Sequence, residues 1–414
     1  MNGWSGEERF IYEFLKVLYG NGSEKLLNLY LKKSSFEKIT EVLKQHEMVS
    51  FFHHVLACGK VPLRLPAATA KEWQYLAGQT ALHNMHYEVE GGKINKSLSE
   101  LGIHCVLLKG MAFMESLYGN TWVRAISDLD LLIDRSDYPP LKEYLFKNGF
   151  SHHSSELFRG TPEEYLAISE SFHNEVGFVK YFNELPLYLD VHWDVGGLRD
   201  GSPMKTLFPI NQYNWLSHTE PFCFGAAAAR RLNLNMQFIH LVYHFALNHQ
   251  FRGLKWFVDL CQFAAVFGNE LDWAFIHKTL DDHNNKRVFG ITIRLISEVV
   301  GNSGGVAEKW QEFWSGEGLP GEYRFYRRHL FSRRTHTGTY LCLLFLPEKA
   351  ADKWKTLAYL LFNQNAVTHW RSPDSKGVKP ALQPFYIIYR IAEEMLLRVL
   401  GKKPKTDGST ERRG

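Results

Sequence analysis

Along residues 1–100 the apolar positions return every three or four residues: Phe10, Phe14, Val17 and Leu18, then Leu26, Leu27, Leu29, Tyr30 and Leu31, then Ile39, Val42 and Leu43. That spacing lines one face of a helix and predicts a helical N-terminal region. Ser35 ahead of Glu37 and Lys38 marks one helix start. The stretch from Val61 to Pro66 reads as a loop, and a long helix is expected from Thr69 to Leu98.

The rhythm changes after Gly102. Ile103 to Leu108 is a short apolar, β-leaning run that stops at Lys109-Gly110, and Met111 to Tyr118 reads as a helix opening directly after the glycine. Asp128 to Ile133 predicts a second strand, Tyr138 to Asn148 a helix, and Leu187 to Val195 a third strand. From Ala226 onward helical spacing returns, with helices expected over Leu234 to Asn248, Leu254 to Val266, Val288 to Val300, 352–362 and 384–400; Arg333 to Thr339 reads as a loop. The expected class is α+β: a small mixed-sheet core at 101–200, a helical N-terminal region at 1–100, a helical C-terminal region at 201–400 and a disordered tail at 401–414.

Composition narrows the class. With 45% hydrophobic, 14% aromatic and 22% charged residues over 414 positions, the chain is globular, which excludes a fibrous or wholly disordered protein. No apolar run approaches the ~20 residues that span a bilayer. Met1 to Phe10 lacks the basic start and apolar stretch of a signal peptide. Five scattered cysteines without a CxxC fit a reducing compartment, so a cytoplasmic protein is expected.

The formal net charge of +4 hides an uneven distribution. Residues 101–200 carry eight Lys and Arg against fifteen Asp and Glu, while residues 301–414 carry nineteen against eleven. The basic clusters Arg327-Arg328, Arg333-Arg334 and Lys402-Lys403 are short and far apart. They argue for solvated surface rather than the continuous basic groove that nucleic acid needs.

The acidic block contains the sharpest chemical feature, Asp128-Leu129-Asp130 followed by apolar residues up to Ile133. In a strand, residues i and i+2 share a face, so both carboxylates project together. Two such carboxylates repel, and a divalent cation removes that cost; the plainer reading is a strand end with two solvated aspartates. The neighbourhood favours the cation. Lys109-Gly110 marks a strand-to-helix junction, where free N–H groups and the helix dipole suit phosphate. Arg124 lies four residues before Asp128 and can clamp a phosphoryl oxygen. Asp190, His192 and Asp194 alternate on the third strand, and either Asp190 or Asp194 can complete a three-acid cluster. His192 shares their face, as an orienting group, a substrate contact or an ordinary partnered histidine. His240 and His244 have helical spacing, but without HExxH they do not make a zinc site. Aromatic residues such as Phe238, Tyr243 and Trp256 read as core.

The string Val106-Leu-Leu-Lys-Gly110, then Tyr118, Arg124 and Asp128-Leu-Asp-Leu-Leu-Ile133, resembles the uncharacterised nucleotidyltransferase family of the polymerase β superfamily. Leu189 to Trp193 is similar to that family's later aspartate strand, and Leu241 to Asp259 resembles one of its helical segments. The wider superfamily places Gly-Gly or Gly-Ser after its first strand. Lys109-Gly110-Met111 stands there in this chain, so Lys109 would supply charge where others use backbone and hydroxyl; the plainer reading is a strand-end lysine with its head in solvent. The resemblance implies a Mg²⁺-dependent nucleotidyltransferase, with Mn²⁺ as a substitute metal. Asp128, Asp130 and Asp190 would be the catalytic metal ligands, and Lys109, Gly110 and Arg124 the nucleotide contacts. The co-substrate would be a nucleoside triphosphate such as ATP and the acceptor an unidentified small molecule, sugar, peptide or protein. His192, His244, Lys255 and Asp259 would line the substrate side. The alternative is a degenerate relative that binds nucleotide or a partner protein without turnover.

Overall fold

The protein is described here from a computed structural model covering residues 4–153, 161–172, 174–195, 214–281, 285–313, 320–331, 346, 349–362 and 385. It divides into two compact units, one of Met1–Ser154 with Pro162–Arg333 and one of Ser155–Thr161 with Arg334–Gly414. In the second, the described residues form helix α15 (Ala350–Phe362). The expected 384–400 helix, the Arg333 to Thr339 loop and the tail lie outside the described residues, save Phe385. All that follows concerns the first unit.

The N-terminal region folds as four short helices, α1 (Gly6–Leu18), α2 (Glu24–Leu31), α3 (Phe36–Gln45) and α4 (Val49–Ala57). Ser5 and Glu8 form a capping box at the start of α1, and Ser23 and Ser35 cap the next two. The predicted apolar faces meet: Phe10 and Phe14 are fully buried, and Phe14 stacks on Phe52 of α4 with ring centroids 4.4 Å apart. The long helix is α5 (Ala67–Glu100), two residues longer at each end than its periodicity predicts.

Among the described residues, seven strands make one mixed sheet in the order β3-β4-β5-β2-β1-β7-β6. They are β1 (Val106–Leu108), β2 (Leu129–Leu132), β3 (Ser151–His152), β4 (Glu175–Phe182), β5 (Leu185–His192), β6 (Thr219–Phe224) and β7 (Ala227–Leu232). Helices α6 (Lys109–Tyr118), α7 (Tyr138–Lys147) and α8 (Pro162–Phe172) lie between them in sequence. The α+β class read from the sequence is the observed one. Two local differences have physical causes. Helix α6 opens at Lys109, with Lys109 itself at a left-handed φ of +52°, so the lysine belongs to the junction rather than to the strand. The segment after Ala226 is strand β7, not helix: its alanines pair antiparallel with β6 across a two-residue turn, and Leu107 of β1 takes Arg231 as its parallel neighbour. Sheet pairing overrides the helix preference of alanine there.

The remaining helices are α9 (Leu234–Tyr243), a π-turn at His244–Asn248, α10 (Leu254–Phe267), α11 (Trp273–Asp281), α12 (Lys286–Val300), α13 (Val306–Phe313) and α14 (Pro320–His329). Phe238, Phe263 and Phe289 form their aromatic core, stacked or edge-on at 5.6 to 6.2 Å. Among the described residues no helix is long and apolar enough to cross a membrane.

Candidate active site

Sheet register builds the site. Strand β2 runs parallel to β5 with Asp130 opposite Asp190 and Leu132 opposite His192, while β4 sets Glu175 directly opposite His192. Because alternate residues share a face, Asp130, Asp190, His192 and Glu175 gather on one side of the sheet. Leu129, Leu131, Leu189 and Val191 are buried on the other. One ligand atom each from Asp130, Asp190 and His192 lies within 4.8 Å of the others. Asp128 stands just before β2, outside that group. Asp194 lies two residues beyond β5 and is buried.

The charges in this group are unequal. His192 Nε2 is 2.9 Å from Asp130 Oδ1 and its Nδ1 is 3.1 Å from Glu175 Oε2. Carboxylates accept at both ring nitrogens, so the ring carries both protons. Burial opposes that charge, but Glu175 and Asp130 outweigh it and raise the imidazole above its ordinary value. Burial alone would push Asp130 up as well; Lys109 and His192 reverse it and hold this carboxyl below the usual range. Asp190 has no such support. Burial, followed by Glu175, Asp128 and Asp130, pushes it well above an ordinary carboxyl, and Asp128 is raised by burial and Asp130.

Lys109 reaches into this face from the β1–α6 junction. Its Nζ is 2.8 Å from Asp130 Oδ1 and 3.2 Å from His244 Nε2, so the lysine bridges the sheet and the π-turn. Helix α6 is held in place from behind by Arg231 of β7, whose Nη1 donates to the Ala112 carbonyl at 3.0 Å and to Ser116 Oγ at 2.9 Å. Gly110 follows Lys109. A Cβ there would stand 3.3 Å from Arg124 Nη1 and 3.1 Å from Ile126 Cγ2, so the glycine permits the close passage of the arginine.

The other residues expected at the site have definite partners. Arg124 forks onto Asp259, with Nε 2.8 Å from both carboxylate oxygens and Nη2 2.7 Å from Oδ2, and the Tyr118 hydroxyl donates to Asp259 Oδ1 at 2.6 Å. Arg124 and Asp259 are buried, and Tyr118 is half-buried. Lys255 pairs with Glu47 rather than with Asp259, and burial together with Arg124 lowers its pKa. The structure thus brings Lys109, Asp130, Asp190, His192 and His244 together, with Asp128 beside them. Arg124, Asp259 and Lys255 form the adjoining wall.

Glu175 and Glu47 have no counterpart in the sequence reading, and His249 enters it only as one residue of the Leu241 to Asp259 segment, without a role. Glu175 becomes visible only through the β4–β5 register. His249 follows a π-turn that helical spacing does not foresee, and its Nε2 lies 3.1 Å from His244 Nε2. Glu47, at a left-handed φ of +55°, ends the link after α3 and is remote in sequence from the lysine it binds.

This is a strand-built acid cluster beside a lysine at a strand-to-helix junction, and it falls inside a family match. The model of the uncharacterised nucleotidyltransferase family matches residues 32–301, and the chain belongs to that family. Those bounds take in all seven strands and every site residue named above. No curated protein and no solved structure matches the chain.

Proposed function

We propose that the protein transfers a nucleoside monophosphate from a nucleoside triphosphate, with ATP the first candidate, to an acceptor hydroxyl in a Mg²⁺-dependent reaction; Mn²⁺ would substitute. The observation that carries this reading is the convergence of Asp130 and Asp190, with Asp128 alongside, next to the Lys109 ammonium.

The donor set fits the metal. Carboxylate oxygens are the ligands Mg²⁺ prefers. The positions are shaped for carboxylates too: a Cβ on Gly177 would stand 3.1 Å from Asp190 Oδ1. Asp128, Asp130 and Asp190 would hold the ion, since both nitrogens of His192 are engaged by carboxylates. When bound, the ion supplies the positive charge that the triphosphate and the departing pyrophosphate require.

The chain's own residues have distinct tasks. Lys109 offers an ammonium to the phosphates. His192, clamped between Glu175 and Asp130, fixes the direction in which Asp130 points. Asp190 takes the proton of the acceptor hydroxyl as that oxygen attacks the α-phosphorus. The new bond joins acceptor oxygen to α-phosphorus, the bond from α-phosphorus to the bridging oxygen breaks, and pyrophosphate leaves with that oxygen's electron pair. Arg124 shapes the wall through Asp259.

The test is label transfer from an α-³²P nucleoside triphosphate into a cell extract with Mg²⁺. The wild type labels a product, and Asp128→Asn with Asp130→Asn lowers labelling by about 10²-fold or more. Full labelling by the double variant would refute the assignment of the site. Mg²⁺-dependent nucleotide binding without turnover over a broad acceptor screen would identify a non-catalytic regulator instead.

A further inference from the structure

We propose that His244 is a positioning residue: its Nε2 lone pair, on a ring packed edge-on against His249, holds the Lys109 ammonium in the direction needed to receive phosphate. The proposal deepens the nucleotide reading and rests on it.

The geometry assigns the protons. A lysine ammonium can only donate, so the 3.2 Å contact makes His244 Nε2 an acceptor and places the ring's hydrogen on Nδ1. His249 packs beside this ring, its Nε2 3.1 Å from that same nitrogen and the two rings edge-on with centroids 4.4 Å apart. Burial, Lys109 and His249 all disfavour a charged His244, which agrees with its acceptor role. The second histidine is itself fixed: its ring lies flat on Trp256, with centroids 3.3 Å apart and planes 13° apart.

The backbone around this contact is unusual on both sides. Lys109 has a φ of +52° at the opening of α6. On the other side His244 opens the π-turn, the His249 N–H bonds to the His244 carbonyl at 3.1 Å, and Gln250 and Phe251 follow at left-handed φ of +48° and +59°. Left-handed non-glycine residues and π-turns are costly and collect where a side chain must be aimed. Here they serve one ammonium. Of its three N–H groups, one goes to Asp130 Oδ1 and one to His244 Nε2, which among the described residues leaves one for a phosphoryl oxygen. Without His244 the hydrogen-bonded partner that remains among the described residues is Asp130, about which the ammonium can swing.

The experiment titrates a non-hydrolysable ATP analogue with Mg²⁺ by calorimetry, alongside thermal denaturation of each variant. His244→Leu is expected to bind about 10-fold more weakly than wild type, and Lys109→Met to lose a similar factor. The double variant should be no weaker than Lys109→Met, and His244→Gln, which keeps an acceptor oxygen, should stay within about 2-fold of wild type. Unchanged binding by His244→Leu overturns the proposal, as do losses that add in the double variant or a His244→Gln as weak as His244→Leu. Side-chain ¹⁵N NMR separates the two levels of argument. If wild-type protein binds no analogue, the nucleotide reading falls. The positioning of Lys109 is then judged by its Nζ resonance, which must move in His244→Leu; an unmoved resonance overturns it.

Discussion

Asp259 takes Nε and Nη2 of Arg124 and the hydroxyl of Tyr118 on its two oxygens, with both members of the ion pair buried. Read along the sequence, Arg124 belongs with Asp128, four residues away, as a phosphate clamp. Its partner is 135 residues distant, and nothing in the local pattern announces it. The distinction is measurable. Truncating one member of a buried ion pair leaves the other charge uncompensated, which costs about 3–5 kcal/mol. Asp259→Ala is therefore expected to lower the unfolding free energy measured in urea by an amount of that order, with a lower midpoint. A residue serving only as an acceptor contact would leave the midpoint in place and lower activity alone. Lys255 follows the same logic: as a buried lysine paired with Glu47 it ties the start of α10 to the end of α3. Pairings of this kind depend on chain sections that meet only after folding, so the identity of the charged residues was legible and their partners were not.

Helix α5 shows what one element does for a site it does not enter. Asn84, fully buried on this helix, donates to the carbonyls of Thr121 and Arg124 at 2.7 Å each and accepts from the Ile126 N–H at 3.4 Å. Tyr87, one turn on, donates to the Ser127 carbonyl at 2.9 Å and accepts from the Tyr188 N–H at 3.0 Å. Together they hold the irregular segment between α6 and β2, which delivers Arg124 and Asp128. Asn84→Ala would leave several buried backbone groups without partners, at about 1–3 kcal/mol for each group left unsatisfied. The expected outcome is a lowered melting temperature together with weaker nucleotide binding; normal binding at a temperature where the variant is folded would show that α5 does not position the site. At this scale periodicity served well. Helices α1, α3 and α12, the D-x-D strand and the parallel face that carries Asp190 all follow from spacings of 3.6 and 2. Strands β4 and β6 escaped although each pairs with the next strand across a two-residue turn, Asn183-Glu184 and Gly225-Ala226, because neither turn was read as a hairpin. Strand β7 was misread because alanine favours helix when isolated, although Gly225, at a φ of +57° in the two-residue turn, is the local signal that marks a hairpin.

Over the whole chain a net charge of +4 says little, whereas the surplus of acids in residues 101–200 has a structural counterpart in the cluster of Asp128, Asp130, Asp190 and Glu175 around two cations, Lys109 and His192. That imbalance makes stability depend on pH and on divalent ions in a direction that can be derived. The folded-state pKa of Asp190 lies above its unfolded value, so between the two values the folded form binds the proton more strongly. Its contribution to stability is complete below the unfolded pKa and is lost as pH rises through the folded one. Asp128 acts in the same sense. Asp130 acts oppositely: its depressed pKa gives stability above the unfolded value that is lost as pH falls through the folded one. Without divalent ions, raising pH above the usual carboxylate range should therefore lower the melting temperature until Asp190 is ionised. Asp190→Asn removes the repulsion without removing the shape, so it should melt higher than wild type at neutral pH and show a flatter profile, while nucleotidyl transfer is lost. An ion held by these acids as proposed would bind the folded form in preference to the unfolded chain, so Mg²⁺ or Mn²⁺ should raise the wild-type melting temperature and do much less for the variant. Thermal denaturation of both proteins across pH, with and without the ions, checks every sign. A wild type that gains nothing from either ion, or an Asp190→Asn variant that melts lower at neutral pH, would mean that these carboxylates are not held together against their own repulsion.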